Sequence, residues 1–218
     1  MALRAAALLL LLAHQTSPAL AQADAPITLT VKQGGKEIGR EDFTLSAGRG
    51  RGAAGTTLSA TARYPAAGPT TRLTAELERT AEFAIAKFQL DVEGPGGTTV
   101  ILAAGSGARL IVRTVATGTE SGRELPGGPD VVLLDDEVHS LYSAVADIAT
   151  PAGKRLTAIF PRTGKRASFT ARRETAGQGE AMRIVLTGDL AGTLLTDREG
   201  RLQQLELPAQ SKVVSRAE

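Results

Sequence analysis

Asp135, His139 and Ser143 carry the three side-chain types of a hydrolytic triad, spaced i, i+4 and i+8. On a helix that spacing sets them within about 80° of one another. A working triad needs the acid and the nucleophile on opposite ring nitrogens, plus an oxyanion hole, usually supplied from separate loops. One helix flank does not provide this, and no Gly-x-Ser-x-Gly elbow occurs in the chain. The three residues therefore read as a cap and an exposed helix flank, and no catalytic residue is assigned. His139 is left as a group that senses pH or faces a ligand if that flank borders a cavity.

Other constellations are weaker. There is no Cys, and His139 is the one histidine left once His14 departs with a leader peptide, so the usual zinc sets cannot be assembled. No Asp-x-Asp-x-Asp loop with a terminal Glu is present. We expect neither a metal nor a cofactor. Gly50, Gly52 and Gly55 match the G-x-G-x-x-G string, but the dinucleotide fingerprint needs a helix after it, and residues 56–61 read as a strand. Glu76 and Glu78 face one side of an alternating strand. With Arg72 and Arg79 nearby, they read as a solvated face rather than an acid/base pair.

The element that must position the first set spans residues 130–148. Asp135 or Asp136 is placed to act as N-cap, with Asp136 and Glu137 where the helix dipole favours negative charge. Val138, Leu141, Tyr142, Val145 and Ile148 then fall on one stripe, and Glu137, Ser140, Ser143 and Asp147 on the other side. Thr150, Pro151 and Gly153 stop the helix. The spacing predicts one central α-helix over about residues 136–148, short enough to need packing against a sheet.

Residues 1–23 read as a secretory signal peptide. Arg4 opens it, five consecutive leucines form its apolar core, and small residues at 19–23 offer a cleavage site. That run is too short to span a bilayer, and none like it follows. The expected mature protein is one domain, residues 24–218, exported to a periplasm or beyond, with no transmembrane segment and no disulfide. The chain has 25 Lys and Arg, one of them (Arg4) in the leader, against 23 Asp and Glu, so the mature net charge is +1. This balance predicts no nucleic-acid partner, and Arg49 and Arg51 read as part of a solvated Gly-rich loop.

The rest is short alternating runs and turns. Strands are predicted at residues 26–31, 37–45, 58–64, 73–77, 83–92, 100–102 and 110–115, with residues 131–134 as a buried lead-in to the helix. A phase slip between Ile85 and Phe88 suggests a bulge. After the helix, residues 155–160, 167–171, 182–186, 190–195 and 202–207 read as a meander, with turn signals including Gly177, Gln178 and Gly179. The fold class is therefore mainly β (α+β): a long curved antiparallel sheet or partial barrel packed on one central helix.

Three stretches resemble those of a group of exported bacterial β-proteins of unknown function. They are Lys32-Gln33-Gly34-Gly35-Lys36-Glu37-Ile38-Gly39, the central Val131-Val132-Leu133-Leu134-Asp135-Asp136-Glu137-Val138, and the closing run from Thr196 to Pro208. The resemblance covers most of the mature chain. It implies a curved sheet wrapped around a helix, like the half-barrel of the lipoprotein-localisation carriers, which hold acyl chains between sheet and helix. No activity and no functional residue carries over.

The function expected is a non-enzymatic cell-envelope binding or carrier domain holding a small apolar or lipid-like ligand between sheet and helix. Val138, His139, Leu141, Tyr142 and Val145 are its expected ligand-facing residues. The alternative is a structural or protein-interaction module of the periplasm, binding an envelope protein by a sheet edge; a hydrolase is third.

Overall fold

The structure, a computed structural model, describes residues 25–50, 53–174 and 181–217. The leader and the turn at residues 177–179 lie outside them. Among the described residues, 15 strands form one sheet. The first half is a meander: β1 (Ile27–Gln33), β2 (Lys36–Arg49), β3 (Ala53–Tyr64), β4 (Thr71–Arg79), β5 (Ile85–Gly94), β6 (Gly97–Ser106), β7 (Arg109–Ala116) and β8 (Thr119–Pro126). After β9 (Val131–Leu133) and the helix, a second meander follows: β10 (Lys154–Ile159), β11 (Arg166–Glu174), β12 (Met182–Gly188), β13 (Gly192–Thr196), β14 (Leu202–Leu207) and β15 (Lys212–Arg216).

The two meanders join where β15 pairs with β1, Val214 opposite Val31. The sheet runs from β8 down to β1, then from β15 down to β9. Every pairing is antiparallel except β9 with β10. The result is a nearly closed barrel whose two end strands, β8 and β9, do not pair with each other.

Period-two alternation sets the inner face. On β4, Leu73, Ala75, Leu77 and Arg79 are buried between partly or fully exposed Thr74, Glu76 and Glu78. The phase slip in β5 is a bulge: Glu78 pairs with Lys87 and Arg79 with Ile85, so Ala86 is the extra residue. Phe83 lies before the strand, in a turn closed by the Thr80 N–H donating to the Ala84 carbonyl at 2.8 Å.

The interior is filled by the segment from β9 through the helix. The helix is shorter than its spacing predicts: a 3-10 turn, His139–Tyr142, runs into α1, Ser143–Ile148. The cause is local. Asp135 Oδ1 accepts the Glu137 N–H at 2.8 Å, an Asx turn that competes with helix, and Val138 is outside the helical region at φ −120°, ψ 89°. All five stripe residues are buried, each contributing about 1.5–3 kcal/mol. Much of the opposite flank is buried too, with Glu137 and Asp147 half-buried. Ser140 and Ser143 are fully enclosed and His139 is 1% exposed, which corrects the expectation of a solvated flank. A sheet that wraps round a helix leaves it exposed only towards the barrel ends, at Glu137 and Asp147.

Candidate functional site

The helix has no cap from its own chain neighbourhood. Glu41 of β2 supplies one. It faces inward between Gly39 and Phe43 and is completely buried. Its Oε2 accepts the His139 N–H at 2.7 Å and its Oε1 the Ser140 N–H at 2.9 Å. These are the orphan donors of a helix start, satisfied by a carboxylate from another strand.

Tyr64, at the end of β3, completes the anchor. Its hydroxyl donates to the Glu137 carbonyl at 3.0 Å and lies 3.4 Å from His139 Nδ1. With that hydrogen committed, a ring protonated at Nδ1 donates to the hydroxyl oxygen. His139 Nε2 is buried without a partner, and Nδ1 stands 3.8 Å from Glu41 Oε2. Burial, then the Glu41 and Glu137 carboxylates, push the Tyr64 phenol far up, so it stays a neutral donor. Its ring packs against Gly39, where any Cβ would collide with it. Gly39 is therefore needed for close approach.

The lead-in loop is clamped from two further sides. Arg162, after β10, grips Asp135 with two hydrogen bonds of 2.6 and 2.8 Å and reaches Glu137 at 2.8 Å. Burial raises the Asp135 carboxyl, and the Arg162 guanidinium only partly offsets it. Lys212 of β15 donates to the Asp136 carbonyl at 2.8 Å. Burial lowers the Lys212 ammonium, against the pull of Asp136 and Glu137.

These groups border a cleft of about 420 Å³ at this end of the barrel. Ile38 and Tyr64 give it an apolar side; Gln33, Thr163, Lys212 and Arg162 offer hydrogen-bond donors. Lys212 is 8% exposed, and among the described residues the Asp136 carbonyl is its one hydrogen-bond acceptor. Its other two N–H bonds are open to whatever enters.

The structure treats the sequence-derived candidates unevenly. Val138, His139, Leu141, Tyr142 and Val145 are all buried in the core, and none lines this cleft. Asp135, His139 and Ser143 do not act on one another. Asp135 is held by Arg162, His139 faces Tyr64 and Glu41, and Ser143 Oγ accepts the Leu202 N–H at 3.2 Å. Glu76 and Glu78 share Lys87 at 3.8 and 3.9 Å, an outer strand face. Gly55 lies in strand β3, without the helix after it that the dinucleotide fingerprint would need, and Arg51 and Gly52 lie outside the described residues. Glu41, Tyr64, Arg162 and Lys212 were not singled out from sequence. Glu41 did leave a signal, a carboxylate at an inward position of an alternating strand.

No helix among the described residues is long and apolar enough to cross a membrane. No protein-family profile matches the chain, and no curated protein matches it. Among solved structures, it is similar to a β-barrel-like protein of the domain-of-unknown-function group DUF1849 from Brucella abortus. The TM-score is 0.53 at 8% identity, covering 90% of this chain and 98% of that one. A DUF1089 family protein from Pseudomonas aeruginosa aligns at a TM-score of 0.44 and 12% identity, over 89% and 96% of the two chains; that likeness is too loose to add anything. The first shows the fold: this chain is a barrel-like β domain.

Proposed function

We propose that this is an exported cell-envelope binding domain, non-enzymatic, whose ligand enters the cleft bordered by Tyr64, Arg162 and Lys212. One observation carries the reading: a Lys ammonium held at 8% exposure in an open cleft with a single acceptor. Desolvating a charge and leaving two donors open is unfavourable unless another acceptor completes the set. The ligand is small, with a carbonyl or carboxylate for Lys212 and an apolar part for Ile38. A ligand between sheet and helix is less favoured, because the five side chains expected to face it are packed in the core. Native mass spectrometry of protein purified from a periplasm without detergent tests this. We expect an added mass that Lys212→Met loses; an added mass unchanged in that variant would sink the reading.

A second reading, strand addition by an envelope protein, has one observation in its favour. β8 is an end strand with every residue but Leu125 exposed. Its charges and the Arg123 strap to the Pro161 carbonyl at 2.6 Å guard that edge, so it ranks second.

A further inference from the structure

Where α1 ends, a second cleft of about 380 Å³ opens. Phe83, Ile148 and Pro151 form its apolar wall, and Asp130, Asp147, Lys154 and Arg173 carry its charges. Arg79, 3% exposed, lies behind Phe83 and Asp147. It donates to Asp147 Oδ2 at 2.9 Å and to the Phe83 carbonyl at 3.2 Å, and its guanidinium carbon sits 5.2 Å from the Phe83 ring centre.

Two features of this cluster are unbalanced. Arg79 Nη2 is buried without an acceptor, and so is Arg173 Nε, although Arg173 Nη2 reaches the Ala146 carbonyl at 3.1 Å. Lys154 and Asp130 neutralise each other at 2.7 Å, so Asp147 is the one lining carboxylate left for two arginines. Glu82 is exposed in the Phe83 turn; Glu199, beyond Asp147, is engaged by Arg201 at 3.0 Å. Among the described residues, one positive charge on half-buried Arg173 and two buried donors without an acceptor remain, where buried polar groups are normally paired. Phe83 itself holds φ +65° while 37% exposed. A bulky residue in that region is strained, and such residues cluster at ligand sites.

The geometry points to a second binding site here, for an oxyanion carried on an apolar body. The anion pairs with Arg173, whose charge Asp147 cannot balance while it also holds Arg79, and the body lies on Phe83, Ile148 and Pro151. This site is independent of the Lys212 cleft at the other end.

Calorimetric titration of the mature protein with decanoate, decyl phosphate, decanol and inorganic phosphate tests it. Both decyl anions bind, the tighter one naming the headgroup, and decanol and inorganic phosphate bind at least tenfold more weakly. Arg173→Gln and Phe83→Asn each weaken the anions at least tenfold. Asn tolerates the positive φ, so that variant keeps the turn, and circular dichroism checks both folds. The titrations are run in the Lys212→Met background, which removes the other cleft's partner for a carboxylate, and the decyl anions still bind here. The proposal is overturned if decanol binds as well as decanoate, if inorganic phosphate matches decyl phosphate, if neither variant weakens binding, or if the decyl anions do not bind in that background.

Discussion

Glu41 Oε2 accepts the backbone N–H of His139 at 2.7 Å, joining two residues 98 positions apart inside the barrel. The bond fixes where the helix begins, because nothing local caps it. A buried carboxylate that caps a helix by tertiary contact ties the first meander to the plug.

Glu41→Gln keeps one acceptor and turns an amide toward the second N–H. Leaving a buried donor unsatisfied costs about 1–3 kcal/mol, and urea melts should show a loss of that order. Glu41→Ala should cost more, since both N–H groups lose their acceptor. Equal stability of Glu41→Gln and wild type would mean that the cap is dispensable.

Gly39 and Tyr64 form a coupled pair. Gly39→Ala drives a methyl into the ring and should destabilise by about 1–3 kcal/mol. In the Gly39→Ala/Tyr64→Ala double variant the collision is gone, so the combined loss should fall well short of the sum. Additive losses would rule out the ring–glycine contact.

Asp197, after β13, lies under Arg216 at 2.7 Å and Arg201 at 2.8 Å. Burial works to raise its carboxyl, but those hydrogen bonds win and hold it below the usual range. A lowered acid stabilises the fold above its unfolded value, about pH 3.9, and that contribution is lost as pH falls through the folded value. Asp197→Asn should cost about 1.5–3 kcal/mol at pH 7 and flatten the acid limb of a stability–pH curve. Asp135 and Asp147, both raised by burial, work in the opposite direction. An acid limb unchanged in Asp197→Asn would locate the acid sensitivity elsewhere.

Lys212→Met removes a charge whose folded value burial has lowered. A base lowered on folding makes the protein gain stability as pH rises through its folded value toward the unfolded one, about 10.4. The Met variant should lose that alkaline gain and be as stable as wild type at pH 7, or up to about 1 kcal/mol more so. Thermal melts at pH 7 and 10 check this. A clear loss of stability at pH 7 would make Lys212 a structural residue.

Much of the fold was legible because half-buried strands write their inner face into every second residue. Leu73, Ala75 and Leu77 are one case, and Leu194 on β13 another. Two strands left no such mark. β8 is an end strand exposed at seven of its eight positions, so nothing forces alternation. β15 is five residues long, and its inward side includes Lys212 in place of an apolar residue. Yet β15 joins the two meanders. The helix stripe was legible; the burial of His139, Ser140 and Ser143 was not, because periodicity cannot report a sheet that encloses the opposite flank. The cleft draws Ile38, Tyr64, Glu137, Arg162 and Lys212 from five separate segments, and no local pattern gathers them.

A crystal structure of the mature protein, purified from a periplasm without detergent or added ligand, tests the central claim most directly. The account predicts density in the cleft beside Tyr64 and Arg162, within hydrogen-bond distance of Lys212 Nζ. Density lodged instead against Val138, Leu141 and Val145, or an empty cleft in protein that native mass spectrometry shows to be loaded, would contradict it.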